Sequence, residues 1–136
     1  MAKFAGKYTR TEMENNDAFL NKLGVNYLVR KAVSISTPTL EITEVTPGHW
    51  KLVLSTKLKK MELNFELGKA FDEKSIDGRT CKTTITQEGD NRWIAEQVGQ
   101  KPGEKTVTMI REFSDAGIAV QMICEEVTSK QFFKRD

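Results

Sequence analysis

The feature that most constrains the fold is the regular punctuation of the chain from Pro38 onward. Runs of six to nine residues rich in β-branched side chains alternate with clusters that contain Gly, Pro, Asn or Asp. The clusters are TPGH at Thr46 to His49, LGKAF around Gly68, IDGR at Ile76 to Arg79, QEGDN at Gln87 to Asn91, GQKPGE at Gly99 to Glu104 and SDAG at Ser114 to Gly117. Such residues supply the backbone conformations that hairpin turns need. Short strands at this spacing predict an all-β meander that closes into a barrel or a sandwich.

The segment before Pro38 has a different period. A first strand is predicted from Phe4 to Met13, and apolar residues then recur at helical spacing in ENNDAFLNKLGVNYLVRKAVS. We expect Asn15 or Asn16 to cap a first helix and Gly24 to end it. Two short helices joined by a tight turn are therefore predicted. Because they are inserted after the first strand of an otherwise all-β chain, they suggest a lid.

Composition limits the class of protein. A chain of 136 residues is long enough for one domain with a full core, so we expect a single domain over residues 1–136. The net charge of +2 gives no argument for a nucleic-acid partner. No export signal or membrane-spanning run is visible. Two cysteines cannot make a disulfide framework, so free thiols in a reducing cytosol are the simpler interpretation, with one bridge left open.

Residues that carry chemistry are few. His49 is the only histidine, beside the turn TPG, and a surface position explains it better than catalysis. Cys81 and Cys124 lack a CxxC partner or a basic neighbour in the sequence and are interpreted as small hydrophobes or semi-exposed thiols. Phosphate-binding glycine loops are absent, and most carboxylates fall in turns or opposite an apolar face. We therefore expect no enzyme activity, no cofactor and no metal site.

One charged residue lies on an apolar face. In the stretch KTVTMIREF, strand alternation places Val107, Met109, Arg111 and Phe113 together. Burying a guanidinium costs several kcal/mol unless it is paired and hydrogen-bonded. An internal ion pair, or a different register that leaves the arginine in water, would account for this pattern. The functional alternative is a carboxylate receptor inside a small barrel that holds one apolar ligand with an acid head.

Four stretches are similar to one known family. They are FAGKY with DAFLNKLGV at Asp17 to Val25, ELNFELGKAFDE at Glu62 to Glu73, DGRTCKTTITQEGDN at Asp77 to Asn91, and IREFSD at Ile110 to Asp115. Together they span nearly the whole chain, and the chain resembles the intracellular lipid-binding proteins, specifically the cytosolic fatty acid-binding proteins of invertebrates. The resemblance implies a ten-stranded antiparallel up-and-down β-barrel (clam) capped by a helix-turn-helix lid. It also implies an internal fatty acid.

The resemblance implies roles for particular residues. In the family an arginine on the eighth strand and an Arg-x-Tyr pair on the last strand hold the carboxylate. Arg111 matches the first, whereas TSKQFFK gives Lys130 and Phe132 as the expected last-strand pair. Phenylalanine there resembles the intestinal type, whose main anchor is the eighth-strand arginine. We therefore expect Arg111 as principal anchor and Lys130 as a second contact, with an internally paired or solvated Lys130 as the alternative.

Further positions follow from the same resemblance. Gln97 matches a polar cavity residue, and Phe132, Met109 and Val107 are expected to line the cavity with it. The expected portal residues are Leu58, Arg79 and Val33. Arg10 and Asn16 stand where the family usually has apolar and aromatic residues. Lys22, Arg30 and Lys31 fall on the helix pair, where basic residues in the family favour contact with anionic membranes; most charged helix residues are only a solvated face, which is the alternative.

The resulting hypothesis is a cytoplasmic, monomeric carrier that binds a long-chain fatty acid without covalent chemistry and delivers it to membranes or enzymes. In some members of the family the basic lid also serves nuclear import. Three alternatives stay open: a retinoid carrier of the same family that binds retinoic acid, a membrane-associated structural protein driven by its lid, and a small enzyme acting on a lipid.

Overall fold

A computed structural model describes residues 4–57, 59–74 and 79–136 of the chain. Within these ranges it contains ten strands and two helices. The strands are β1 (Gly6–Glu14), β2 (Thr39–Thr46), β3 (His49–Ser55), β4 (Lys60–Glu66), β5 (Phe71–Lys74), β6 (Thr80–Glu88), β7 (Arg92–Gly99), β8 (Val107–Phe113), β9 (Gly117–Cys124) and β10 (Val127–Arg135). The helices are α1 (Asn16–Leu23) and α2 (Tyr27–Ile35), both between β1 and β2. The predicted alternation of short strands and turns is confirmed.

The strands form one antiparallel sheet in the order β4-β3-β2-β1-β10-β9-β8-β7-β6-β5. Strands adjacent in the chain pair with each other, except that β4 and β5 stand at the two ends of the order. Pairing of β1 with β10 brings the two ends of the chain together, with Tyr8 opposite Arg135 and Glu14 opposite Lys130. The sheet is a nearly closed up-and-down barrel rather than a sandwich. The predicted fold class is confirmed.

Glycine and asparagine residues stand at the ends of the two helices. Gly24 follows α1 with φ +94°, a conformation that glycine adopts without a side-chain penalty. Asn15 precedes the helix in the left-handed region, at φ 59°, and its side chain makes no cap hydrogen bond. Asn26 caps α2, because its side-chain oxygen accepts a hydrogen bond of 3.0 Å from the backbone N–H of Val29. The tight turn between two helices was thus predicted correctly.

Alternate residues of each strand face the barrel interior. Near the end away from the helices, aromatic side chains fill this interior: the centroids of Phe4 and Trp93 are 4.8 Å apart, and those of Trp93 and Phe113 are 5.1 Å apart. At the other end Phe19 and Leu20 of α1 are buried in a second cluster. No residue of α2 is buried. One end of the barrel is therefore plugged by aromatic rings, and the other is covered by α1.

Among the described residues, neither helix is long and apolar enough to cross a membrane.

Candidate functional site

Arg111 occupies the inner face of β8, as strand alternation predicts. The burial pattern of β8 has Val107, Arg111 and Phe113 buried and Glu112 exposed. The neighbouring residues across the ladder are Trp93 on β7 and Val120 on β9. Only 9% of the Arg111 surface is exposed. The alternative register that would leave the arginine in water is therefore wrong.

The guanidinium of Arg111 has no direct partner in the described part of the chain. It makes no hydrogen bond and no ion pair with any described residue. Burial lowers the pKa of Arg111, and the carboxylate of Glu73 partly offsets this by raising it. Glu73 itself accepts a hydrogen bond of 2.9 Å from the Thr83 hydroxyl. A close internal ion pair thus does not account for Arg111 among these residues, and its N–H donors are free to bind an anion.

Three predicted lining residues lie on the inner face with Arg111. Met109 faces Ala95 and Met122 across its two ladders. Gln97 lies opposite both Thr83 and Val107. Val107 is 2% exposed and packs in the cluster beneath α1. The three residues have the orientation that cavity lining requires, and their contact with a ligand stays a prediction.

The structure corrects the expected last-strand pair. Lys130 is exposed, and Phe132 lies opposite the exposed residues Glu12 and Ala119, so both belong to the outer face of β10. The inward residues with the same spacing are Gln131 and Phe133. The cause is the two-residue period of a strand, since an error of one position exchanges the two faces. Neither Lys130 nor Phe132 is placed to contact a ligand inside the barrel.

Gln131 connects the barrel interior to the lid. Its side-chain nitrogen donates a hydrogen bond of 3.2 Å to the side-chain oxygen of Asn16, the first residue of α1. The Ser129 hydroxyl shares its one proton between the same oxygen, at 3.3 Å, and the carbonyl of Glu14, at 3.2 Å. Asn16 is 6% exposed and Ser129 is fully buried. Asn16, an unusual residue at its position, therefore fastens α1 to β10 through polar contacts that the sequence did not predict.

The predicted portal residues are only partly described. Val33 lies on α2 and packs against the cluster beneath the lid. Arg79 lies beside Gly99 of β7. A Cβ atom placed on that glycine would be 2.9 Å from Nη1 of Arg79. Leu58 falls outside the described residues. A portal formed by the three together stays a prediction.

The basic surface expected on the lid is reduced by ion pairs. Lys22 pairs with Glu126 at 2.7 Å and with Glu125 at 3.6 Å. Arg30 pairs with Asp17 at 3.0 Å, and only 16% of its side chain is exposed. Lys31 is exposed and forms no ion pair with the residues that the structure describes. Of the three lysine and arginine residues, Lys31 is the one that presents an unneutralised charge.

The other reactive side chains are accounted for by structure. The imidazole of His49 contacts the carboxylate of Glu66, and 55% of its side chain is exposed. Cys81 and Cys124 are fully buried and are not joined by a disulfide, which corrects the semi-exposed alternative. Burial raises the pKa of Cys124, so the unreactive thiol form is favoured. The described residues contain no cluster of three or more side chains that could hold a metal ion.

Comparison with known proteins defines the class. Residues 5–136 match the model of the lipocalin / cytosolic fatty-acid binding protein family. A fatty acid-binding protein of Tyrophagus putrescentiae is 38% identical over 135 residues, 99% of each chain. A Schistosoma mansoni fatty acid binding protein solved with arachidonic acid is 28% identical, with a TM-score of 0.91 over 98% of this chain and 96% of that one. Cellular retinoic acid-binding protein 2 of Rattus norvegicus is 29% identical over 139 residues, all of both chains.

The chain therefore belongs to the lipocalin / cytosolic fatty-acid binding protein family. The resemblance seen in the sequence is confirmed, including its likeness to invertebrate members.

Proposed function

We propose that this protein is a cytoplasmic carrier that binds one long-chain fatty acid inside the barrel, without a covalent step, and holds its carboxylate at Arg111. The observation that carries the proposal is a guanidinium with 9% of its surface exposed that has no hydrogen bond and no ion pair among the described residues. A carboxylate supplies the charge and the planar acceptors that such a group requires. The fatty acid-binding relatives support the same ligand class.

The apolar walls of the interior and Arg111 contribute differently to binding. Each buried methylene of the tail contributes about 0.8 kcal/mol, so affinity comes mainly from the apolar walls. Partly buried side chains such as Leu54, Leu63, Met109 and Met122 lie against the core and are suited to contact a tail. Arg111 then selects acids over alcohols of the same length, because a charge-assisted hydrogen bond adds about 1.5 to 3 kcal/mol.

The test is displacement of a fluorescent fatty acid from the delipidated protein by oleic acid or oleyl alcohol. Wild-type protein should prefer the acid, and Arg111→Leu should lose roughly ten-fold or more in acid affinity while the alcohol changes little. Lys130→Ala is the matched control, because it removes a charge from the outer face of the barrel and should leave both affinities unchanged. Equal losses for acid and alcohol in Arg111→Leu would contradict the anchor role.

Retinoic acid is the second candidate ligand, since a retinoic acid-binding relative matches the whole chain at 29% identity. It presents the same carboxylate to Arg111 on a stiffer, bulkier apolar body. Adding it as a third competitor separates the two. Displacement by retinoic acid at lower concentration than oleic acid would favour the retinoid carrier.

We also propose that α2 makes transient contact with anionic membranes during transfer. Leu28 is 77% exposed and Ile35 is 79% exposed, and Lys31 lies between them at helical spacing on the same face. Exposed apolar side chains beside a lysine are suited to the boundary between lipid headgroups and acyl chains. Fatty acid transfer to vesicles should slow in Leu28→Ser/Ile35→Ser and become insensitive to anionic lipid in Lys31→Ala. Unchanged transfer rates in both variants would refute this contact.

Monomeric behaviour and nuclear import belong to the same proposal. Sedimentation of the delipidated protein should give a single species near 15.4 kDa.

Import should be tested with a tagged chain in cells, with and without oleic acid, using Lys31→Ala as the variant. Ligand-independent exclusion from the nucleus would remove the import part and leave the carrier role intact.

A further inference from the structure

A second cation faces the barrel interior from β1. Tyr8 and Arg10 lie on the inner face of this strand, and Arg10 is paired across the ladder with the inward residue Phe133 of β10. After an irregularity between Arg10 and Glu12, the next inward pair is Met13 with Gln131. Arg10 and Gln131 are therefore diagonal neighbours on one face, a separation that long side chains can bridge.

The contacts of Arg10 use only part of its guanidinium. Its Nη2 donates hydrogen bonds of 2.8 Å to the carbonyl of Ser36 and 3.4 Å to that of Val33, at the end of α2. Within residues 4–57, 59–74 and 79–136, its Nε and Nη1 donate to no acceptor and no carboxylate forms an ion pair with it. A guanidinium has five N–H donors, so three of them remain for another partner.

The charge of Arg10 is not needed to hold the helix end. Any neutral N–H donor would satisfy the two carbonyls, whereas a half-buried cation carries a desolvation cost. Burial indeed lowers the pKa of Arg10, and no described acid raises it. An anion nearby would offset that cost.

We propose that Arg10 is the second carboxylate-binding cation of the barrel, in place of Lys130, which lies on the outer face of β10. The inference rests on the proposed function. Arg111 on β8 and Gln131 on β10 flank Val120 of β9 in one row of the sheet, and Arg10 on β1 lies diagonally beyond Gln131. A fatty acid carboxylate between these strands would meet hydrogen-bond donors from Arg111 on β8, Gln131 on β10 and Arg10 on β1. Because Nη2 of Arg10 also holds α2, the ligand's head becomes linked to the lid.

The test replaces Arg10 by glutamine, which keeps a donor for the Ser36 carbonyl and removes the charge. Oleic acid and oleyl alcohol compete with a fluorescent fatty acid on wild type, Arg10→Gln, Arg10→Lys and the outer-face control Lys130→Ala. We expect Arg10→Gln to lose roughly five- to ten-fold in acid affinity with alcohol affinity changed less than about two-fold. Arg10→Lys should recover part of the loss, and Lys130→Ala should match wild type.

Two results overturn the inference. If wild type prefers the acid and Arg10→Gln keeps that preference in full, Arg10 only holds α2 and the carrier function stands. If Arg10→Gln weakens acid and alcohol equally, its role is structural. Absence of any acid preference in wild type would instead refute the proposed function itself. Should Arg10→Gln fold poorly, Arg10→Leu supplies the family's usual apolar side chain and is judged by the same ratio.

Discussion

Replacing Arg111 by leucine should stabilise the ligand-free protein while weakening its binding of fatty acids. The guanidinium is 9% exposed, and within the described residues it has neither a hydrogen bond nor an ion pair to compensate for lost hydration. Burial lowers its pKa, which means that the fold disfavours the charged form. Leucine is shorter than arginine, but it removes this cost and keeps an apolar side chain beside Trp93 and Val120, its neighbours across the ladder.

Replacement of a buried ion pair by apolar side chains is often neutral or stabilises a protein by about 1 to 4 kcal/mol, and this sets the scale of the expected gain. The nearby carboxylate of Glu73 offsets part of the cost, so we expect about 2 kcal/mol. For a chain of 136 residues this raises Tm by roughly 5 to 8 °C.

Urea denaturation of delipidated wild type, Arg111→Leu, Glu73→Gln and the double variant measures this balance. Glu73→Gln alone should destabilise the protein, because Arg111 loses its offsetting charge while Thr83 keeps an acceptor oxygen. In the Arg111→Leu background the same change should be close to neutral, a coupling of about 0.5 to 1 kcal/mol. Destabilisation of the ligand-free protein by Arg111→Leu alone would refute the reasoning, because it would mean that the buried charge is well compensated without a ligand.

Three smaller predictions concern the lid and the thiols. Asn16→Ala should destabilise the protein by about 1 to 2 kcal/mol and speed amide hydrogen exchange in α1, because the Gln131 amide loses its acceptor and the Ser129 hydroxyl loses one of two; exchange as slow as in wild type would contradict this. Cys124, fully buried with its pKa raised by burial, should react with a thiol reagent only as fast as the barrel opens, so rapid labelling of the native state would be inconsistent with its placement. The pKa of Glu126 is lowered by Lys22, so this pair stabilises the lid at neutral pH and its contribution is lost as pH falls through the folded pKa of Glu126. Lys22→Met should remove that part of the acid sensitivity, and 1 M salt should mask it.

Structural features that depend on short-period sequence patterns were predicted well. Turn clusters at regular spacing gave the meander, because hairpins need particular residues at fixed places. Gly24 marked the end of α1, and alternation in KTVTMIREF placed Arg111 inside. Each of these depends on residues a few positions apart, so the chain's own periodicity carries the information.

The last strand shows where such reasoning fails. Ser129 and Gln131 are polar yet face inward, so hydropathy does not distinguish the two faces of β10. Lys130 and Lys134 lie four residues apart and therefore on the same face of the strand. They were the available indication of the outer face, since lysines are rarely found along a buried face. The similarity of TSKQFFK to the family's last-strand motif is displaced by one residue from the inward positions of β10. The predicted contact residues therefore lie on the outer face.

Contacts between distant segments were beyond prediction. Arg10 reaches carbonyls 23 and 26 residues away, and Asn16 meets Ser129 and Gln131 across 113 and 115 residues. The sequence identified Arg10 and Asn16 as unusual for the family, but only the fold brings Arg10 to the end of α2 and Asn16 to β10. Both unusual residues join the barrel to its lid.

The most direct test of the central claim is carbon-13 NMR of bound oleic acid labelled at its carboxyl carbon. If Arg111 holds the ionised head, the signal from wild type should keep its carboxylate position down to about pH 4, because an adjacent guanidinium lowers a carboxyl pKa. In Arg111→Leu the same carbon should titrate at higher pH, since burial without a counter-charge favours the neutral acid. Identical titration curves in the two proteins would contradict the account, because the carboxyl group would then lie away from Arg111.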